Sequence, residues 1–383
     1  MKERDFYFFN FFPDSSRHNF TIFDYICGKI LRMEKKLAFS VKTAQKLFAS
    51  AARIDQFRGK WQFIEQIDNR YLRELRSLAT IQSIGSSTRI EGATLTNLEV
   101  ESLLKSVKIT QFKTLEEQEV VGYYEGLELI LDQFAFIELS VSNIKALHNV
   151  LMKHSEKDQK HKGEFKKFSN QVVAKYPDGT VRTIFNTTEP LLVDKVMDEL
   201  VEWANTELAS KDFHSLFCIG AFVYEFLSIH PFQDGNGRLS RLLTTLLLLR
   251  EGYEFVQYVS FENIIESNKK DYYRSLMAGQ QNRNTEDEII GEWMLFFLSS
   301  LETLSQKLDE KYTRYLNLGG FLNQRQQQLL ALVKERKAVK LADISTLFPD
   351  VSSRSLQRDF ALLESEGLIE RIGNGKLTAY SVV

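Results

Sequence analysis

Proline, the residue that most reliably breaks a helix, occurs only five times in these 383 residues, at positions 13, 177, 190, 231 and 349. It removes an amide donor and clashes with the preceding turn, so its scarcity leaves long segments with nothing to interrupt a helix. Those segments carry Leu, Ala, Glu and Lys at three-to-four spacing, and the fold class expected is mainly α. Val41 to Leu104 reads as successive helices, with Ile54, Phe57, Trp61, Phe63 and Ile64 as an apolar stripe. From Leu115 to Ser300 the pattern continues with one interruption. There the β-branched runs containing Val172, Val173, Thr183 and Ile184 flank Pro177-Asp178-Gly179, which predicts a hairpin. A hairpin with no sheet to join is expected to be a surface flap.

The character of the chain changes twice more. Phe6, Tyr7, Phe8, Phe9, Phe11 and Phe12 crowd the first 32 residues, read either as an arm packed on the body or as sequence upstream of a start at Met33. After Leu316-Asn317-Leu318-Gly319-Gly320, short helices are predicted at Gln326–Lys334 and Leu341–Phe348, followed by a third that Ser352 or Ser353 caps and that runs to about Glu366. Leu368–Ile372 and Leu377–Tyr380 then flank Gly373-Asn374-Gly375 as a second hairpin, completing a winged-helix outline. The organisation expected is an arm at 1–32, a helical region at 33–114, a central domain at 115–305 and a winged helix at 320–383. That division suits the ~100–200 residues of an ordinary domain.

Charge and cysteine content narrow the partners. With 49 Lys+Arg against 51 Asp+Glu the net charge is −2, so no field over the whole molecule draws in nucleic acid or an anionic membrane. No run approaches the ~18 apolar residues of a membrane span, and two cysteines, Cys27 and Cys218, build neither a disulfide framework nor a metal site. A cytoplasmic protein with no membrane partner is expected.

The segment with the most chemistry is His230-Pro231-Phe232-Gln233-Asp234-Gly235-Asn236-Gly237-Arg238-Leu239-Ser240-Arg241. Pro231 should stop the preceding helix at His230 and present the imidazole from the loop edge. Gly235 and Gly237 allow a tight turn into a new helix, whose unpaired amides and positive dipole end make an anion site. Arg238 and Arg241, three apart, share one face of that helix and suit a polyphosphate. Asp234 offers a hard oxygen for Mg²⁺, and His230 is suited to take a proton from a hydroxyl. A P-loop would need Lys-Ser/Thr where Arg238-Leu239 stand. An EF-hand starting at Asp234 would need Glu where Thr245 stands, and a zinc site would need further His or Cys.

Every specified position of this segment matches the signature His-x-Phe-x-Asp/Glu-Gly-Asn-Gly-Arg-x-x-Arg, so the region from about Asn143 to Ser300 resembles the Fic domain. The resemblance implies transfer of AMP from ATP to a hydroxyl of a protein target, the chain itself included, with ATP and Mg²⁺ as cofactors. It implies His230 as base, Asp234 on Mg²⁺, Gly235, Asn236 and Gly237 at the α-phosphate, and Arg238 and Arg241 on the outer phosphates. The hairpin, through Val172, Val173, Thr183 and Ile184, is similar to the flap that docks the target by strand addition. Tyr272 and Tyr273 stand where relatives line the nucleoside end, though a core-aromatic role fits them as well.

A second segment, Ser87-Thr88-Arg89-Ile90-Glu91-Gly92, has two readings. Thr88 with Glu91 makes a capping box. The segment also resembles the Ser/Thr-x-x-x-Glu-Gly motif of the inhibitory helix preceding many Fic domains, which implies a self-inhibited enzyme with Ser87, Glu91 and Gly92 as the inhibitory set. On that resemblance Glu91 pairs with Arg241 and occupies the group meant for the γ-phosphate.

At the C-terminus, residues 320–383 hold nine Lys+Arg against seven Asp+Glu, a balance of +2, with Arg354, Gln357 and Arg358 on the predicted third helix. The module resembles winged helices of bacterial regulators and is expected either to bind DNA through that helix or to make a homodimer or another protein contact. Alternatives to AMP transfer are a nucleotide-sensing regulator acting through the winged helix, a Fic enzyme using another phosphate donor, and one that removes AMP.

Overall fold

The computed structural model describes residues 33, 35–65, 70–106, 112, 114–156, 160–175, 181–285, 287–317, 322–366, 368–373 and 378–382. The arm read at 1–32 and the turn Pro177-Asp178-Gly179 lie outside the described residues. The chain divides into two compact units, one of residues up to Ala49 with Phe136–Leu247 and Asn268–Leu298, the other of Ser50–Ala135, Leu248–Ser267 and Ser299–Val383.

Helix α1 runs Val41–Glu65, α2 Arg70–Glu91, α3 Asn97–Ser106 and α4 Leu115–Gln133. The first unit takes α5 (Val141–Leu151), the antiparallel hairpin of β1 (Gln171–Lys175) and β2 (Val181–Asn186), α6 (Pro190–Ser210) and α7 (Ser215–Ile229). Ser140 caps α5 by accepting from the Asn143 amide. Pro190 opens α6, a position where its missing N–H costs nothing. Helix α7 is buried from Leu216 to Ile229 and packs against α6, so it anchors whatever its C-terminus presents. A buried ionic cluster braces it. Lys36 and Arg283 share Glu225 of α7 and Glu288, and the two cations outweigh the burial penalty, holding the Glu225 carboxyl below the usual carboxylate range. Helix α8 (Asn236–Arg250) then buries Leu239, Leu242, Leu243 and Leu246, and α10 (Lys269–Gln280) follows α9 (Phe261–Ser267). Gly252, with φ +79°, closes α8 as expected, its amide and that of Tyr253 satisfying the carbonyls of Leu249 and Leu248.

In the second unit Trp61 of α1 is the aromatic hub, packed against Phe57, Tyr258 and Tyr312, the last on α11 (Gly291–Asn317). The capping-box reading of Thr88 does not hold. Thr88 lies in the last turn of α2, where its hydroxyl donates to the carbonyls of Ile84 and Gly85, and the box forms instead at the start of α3. There Thr96 and Glu99 exchange bonds, Glu99 Oε2 accepting from the Thr96 amide (2.8 Å) and Thr96 Oγ1 from the Glu99 amide (3.3 Å).

The C-terminal module has its own apolar cluster, built on Leu329, Val333, Ile344, Leu356, Phe360, Leu363 and Tyr380. Helices α12 (Gln324–Arg336), α13 (Leu341–Leu347) and α14 (Ser353–Ser365) pack with a three-stranded sheet in the order β3-β5-β4, where β3 is Ala338–Lys340, β4 Ile369–Ile372 and β5 Ala379–Val382. Ser352 caps α14. Strand β3 has no signature in the sequence: at three residues, with only Val339 facing inward, it is too short to show an alternation. Among the described residues no helix is long and apolar enough to cross a membrane.

Candidate active site

His230 caps the C-terminus of α7 with φ 54° and ψ 61°, and its amide still bonds to the Phe226 carbonyl. Pro231 stops the helix as expected, but by a different route. The residue before it is left-handed rather than extended, a conformation costing a non-glycine ~1–2 kcal/mol that the surroundings must hold in place. The half-buried ring sets its Nδ1 3.3 Å from the Leu227 carbonyl. A carbonyl only accepts, so the nitrogen facing it, Nδ1, carries a proton.

The loop after His230 is tied down by its own residues. The Asn236 side chain grips the main chain of Phe232 twice, accepting from its amide and donating to its carbonyl, both at 2.8 Å. The Asn236 amide thereby shapes the turn at which the α-phosphate site was expected. Gly235 has φ +78°, and a Cβ there would stand 3.1 Å from Met152 Sδ and 3.4 Å from His148 Nε2, so the turn needs glycine for conformation and space alike. From Gly235 the chain enters α8, whose first-turn amides at Asn236 and Gly237 have no partner within a helix. Arg238 and Arg241, each 2% exposed, place two guanidiniums in the first turns of α8.

The Asp234 carboxylate is 43% exposed, accepts from the Gly235 amide (2.6 Å) and lies 3.7 Å from Arg238 Nη2. Among the described residues no three His, Cys, Asp or Glu side chains are gathered into a metal cage. One accessible carboxylate oxygen donor beside a phosphate site is what Mg²⁺ requires when the phosphates supply further ligands, so the residues fit that ion.

His148 is a support that its sequence context, an apolar helix, revealed only as a packed residue. It is 2% exposed and stacks on Phe232 with ring centroids 3.8 Å apart. Its Nε2 faces the Asp234 carbonyl (3.1 Å) and its Nδ1 accepts from the Gly163 amide (2.9 Å). Burial, reinforced by the Arg238 charge, pushes it down to about 4, so it stays neutral and pins the loop from below.

The hairpin pairs Val172 with Phe185 and Val173 with Thr183, which leaves Ile184 as the extra residue of a bulge at the root of β2. Tyr272 is buried, edge-on to Trp293 (5.7 Å) and Phe296 (5.8 Å), while Tyr273 is half-buried beside it. The segment Ser87-Glu91-Gly92 belongs to the second unit and ends α2. Gly92, with φ +113°, closes the helix as the Ala93 amide bonds Thr88 O and its own amide bonds Arg89 O, both at 3.1 Å. Arg89 fixes that end through a two-point ion pair with Glu266 (2.7 and 2.9 Å). Arg354, Gln357 and Arg358 are exposed on one face of α14, opposite Leu356, Phe360 and Leu363.

Comparison with known proteins gives two family matches. Residues 138–248 match the Fic/DOC family, and residues 325–381 match the DeoR-like helix-turn-helix domain. The protein adenylyltransferase Fic of Drosophila willistoni is 30% identical over 187 residues, and that of Drosophila erecta 32% identical over the same length; each match covers 48% of this chain and 35% of the relative. The chain therefore spans about a third of the length of the curated relatives it matches. A crystal structure of a Fic family protein from Desulfovibrio desulfuricans superposes with TM-score 0.60 at 21% identity, covering 91% of this chain and 98% of that one, a likeness of fold.

Proposed function

Since this chain carries a Fic domain in residues 138–248, we propose that it is a protein adenylyltransferase that moves AMP from ATP onto a hydroxyl of a protein, itself included. The observation that supports this most is the disposition of His230, which ends α7 just ahead of α8 in the chain and turns its Nδ1 to the Leu227 carbonyl, so that Nε2 is the ring nitrogen suited to act as the base. In the transfer, the target hydroxyl oxygen attacks Pα, the bond from Pα to pyrophosphate breaks, and the hydroxyl proton passes to His230 Nε2. Negative charge grows on the departing pyrophosphate, and the first-turn amides of α8 with Arg238 and Arg241 answer it from a buried, prearranged position. Gly235, Asn236 and Gly237 shape the turn that offers those amides. Asp234 would hold Mg²⁺, which when bound supplies further neutralisation of the phosphates. The bulged hairpin at Val172, Val173, Thr183 and Ile184 takes the target segment as an added strand. Tyr273, less buried than Tyr272, is the better placed of the pair for the nucleoside end.

Self-inhibition belongs to the same reading: Ser87 and Glu91 on the end of α2, with Gly92 closing it, form the inhibitory set, and replacing Glu91 is expected to raise transfer. A reducing, cytoplasmic setting suits a chain with two cysteines, of which Cys218 is buried in the core.

A second reading, a nucleotide-sensing regulator acting on DNA, is favoured by the exposed Arg354, Gln357 and Arg358 face of the winged helix. The enzyme reading stands ahead of it because a sensor needs the phosphate groups but no base. His230→Ala is the test. Transfer of label from α-labelled ATP should fall by at least about 100-fold while nucleotide binding persists. A variant that transfers at the wild-type rate would remove His230 from the chemistry.

A further inference from the structure

We propose that Lys166 is the positioning residue for the base, holding the main chain on both sides of His230 and tying it to the roots of the β1–β2 hairpin. This rests on the reading of His230 as the base. The Lys166 side chain, 4% exposed, donates from Nζ to Asn170 Oδ1 (2.8 Å), Thr187 Oγ1 (2.6 Å) and the Ile229 carbonyl (3.3 Å). Its own amide donates to the Pro231 carbonyl (2.9 Å). The residues immediately before and after His230 therefore hang on one lysine. The other bonds of the network run the same way. Asn170 Nδ2 donates to the Phe232 carbonyl (3.0 Å) and the Thr188 amide to the Ile229 carbonyl (3.3 Å). Asn170 precedes β1, and Thr187 and Thr188 follow β2, so both hairpin roots are stitched to residues 229–232.

Two physical points separate this from ordinary core packing. A left-handed His230 needs an external hold, and this network supplies one at each flanking peptide. A buried ammonium is also expensive, and an apolar side chain would fill the space at less cost. The charge has a use only if three donors are needed at once. Three acceptors surround Nζ; an ammonium donates to all of them at once, whereas a neutral amine has two N–H and gives up one of the three bonds.

Burial pushes Lys166 down to about 8, with the Glu189 carboxylate favouring the charge. Glu189, at the start of α6, accepts from Ser169 (2.6 Å), and His230 itself is the other titratable group beside the network. A lysine whose folded value is depressed makes the fold more stable as pH rises from about 8 to 10.5, because the unfolded chain binds more protons in that window. A loss of transfer above about pH 8 is thus opposite in direction to Lys166-linked unfolding.

The experiment uses the full chain and compares wild type, Lys166→Met and Lys166→Arg by AMP transfer between about pH 6.5 and 9.5, ATP binding, thermal melting and ¹⁵N spectra of the histidine rings. Lys166→Met should lower kcat about 10- to 100-fold, as a misplaced base does, with KM and affinity for ATP within about twofold of wild type. Lys166→Arg should recover most of kcat and lack the fall that wild type shows above about pH 8. The His230 ring signals should shift in the Met variant and return in the Arg variant. Unmoved His230 signals in Lys166→Met would overturn the proposal whether or not the protein transfers AMP. So would a kcat loss matched by loss of ATP affinity. If Lys166→Met fails to fold, the wild-type profile decides: a rate that holds flat through about pH 9.5 contradicts the role. Absence of transfer in wild type, with the ring signals shifting as expected, would instead count against the adenylyltransferase reading alone.

Discussion

The loop at residues 230–241 and the helix α14 both present arginines behind a serine- or glycine-rich start, yet they are built in opposite ways. In the loop, Arg238 and Arg241 are each 2% exposed, and the conformation around them is fixed by Asn236, His148, Gly235 and the Lys166 network. On α14 the apolar side is buried and the guanidiniums of Arg354 and Arg358 stand in solvent, with Asp359, the buried acid between them and the core, committed to Arg325 and Gln326. A site that must be prearranged for charge developing in a reaction invests its polar residues in its own geometry. A surface that meets a long polyanion leaves them solvated and loses little when one is removed. Changes to the loop should therefore cost both stability and chemistry, whereas changes to α14 should cost neither.

The largest effect expected is on acid stability through His148. Its folded value of about 4 lies below the ordinary 6.5, so the unfolded chain takes up a proton first and stability is lost as pH falls from 6.5 toward 4. At 1.36 kcal/mol per tenfold this amounts to about 3 kcal/mol in full. Thermal melts of wild type and His148→Gln between about pH 4 and 7 check it; equal acid sensitivity in the two proteins would show that His148 is not the source. Next is Asn236→Ala. It strands the buried Phe232 amide, an expected cost of about 1–3 kcal/mol, and should lower transfer as well by freeing the turn. A drop in melting temperature with transfer intact would show that the loop does not need its clamp. Smallest is the Arg354→Ala, Arg358→Ala pair. Melting temperature and AMP transfer should stay at wild-type values, while affinity of the full chain for duplex DNA falls and its salt slope loses about one per arginine. An unchanged slope would assign this face to a protein contact.

The fold was legible where periodicity and punctuation agree. The helices, the pairing of β1 with β2 and the winged-helix order followed from the pattern, and Gly252 and Ser352 mark the ends they were expected to mark. What escaped depends on tertiary context. The Thr88–Glu91 spacing suits a capping box, but spacing does not say which end of a helix it occupies, and a glycine at 92 was the sign that this is a C-terminus. In the loop the residue types announced an anion site, while the partner of the Asn236 amide, the main chain of Phe232, came from folding. His148 and Lys166 carry no local mark at all. A histidine on an apolar helix and a lysine in Gly163-Glu164-Phe165-Lys166-Lys167 read as ordinary until the loop is folded against them.

His230 and the start of α8 are proposed to transfer AMP. Mass spectrometry of the Glu91→Gly protein after incubation with Mg²⁺ and ATP, alone and combined with His230→Ala, tests this most directly. AMP should appear on hydroxyl side chains of the Glu91→Gly protein, several-fold above wild type, and should vanish in the double variant. An unmodified Glu91→Gly protein that still binds ATP, or AMP adducts that persist without His230, would contradict the account.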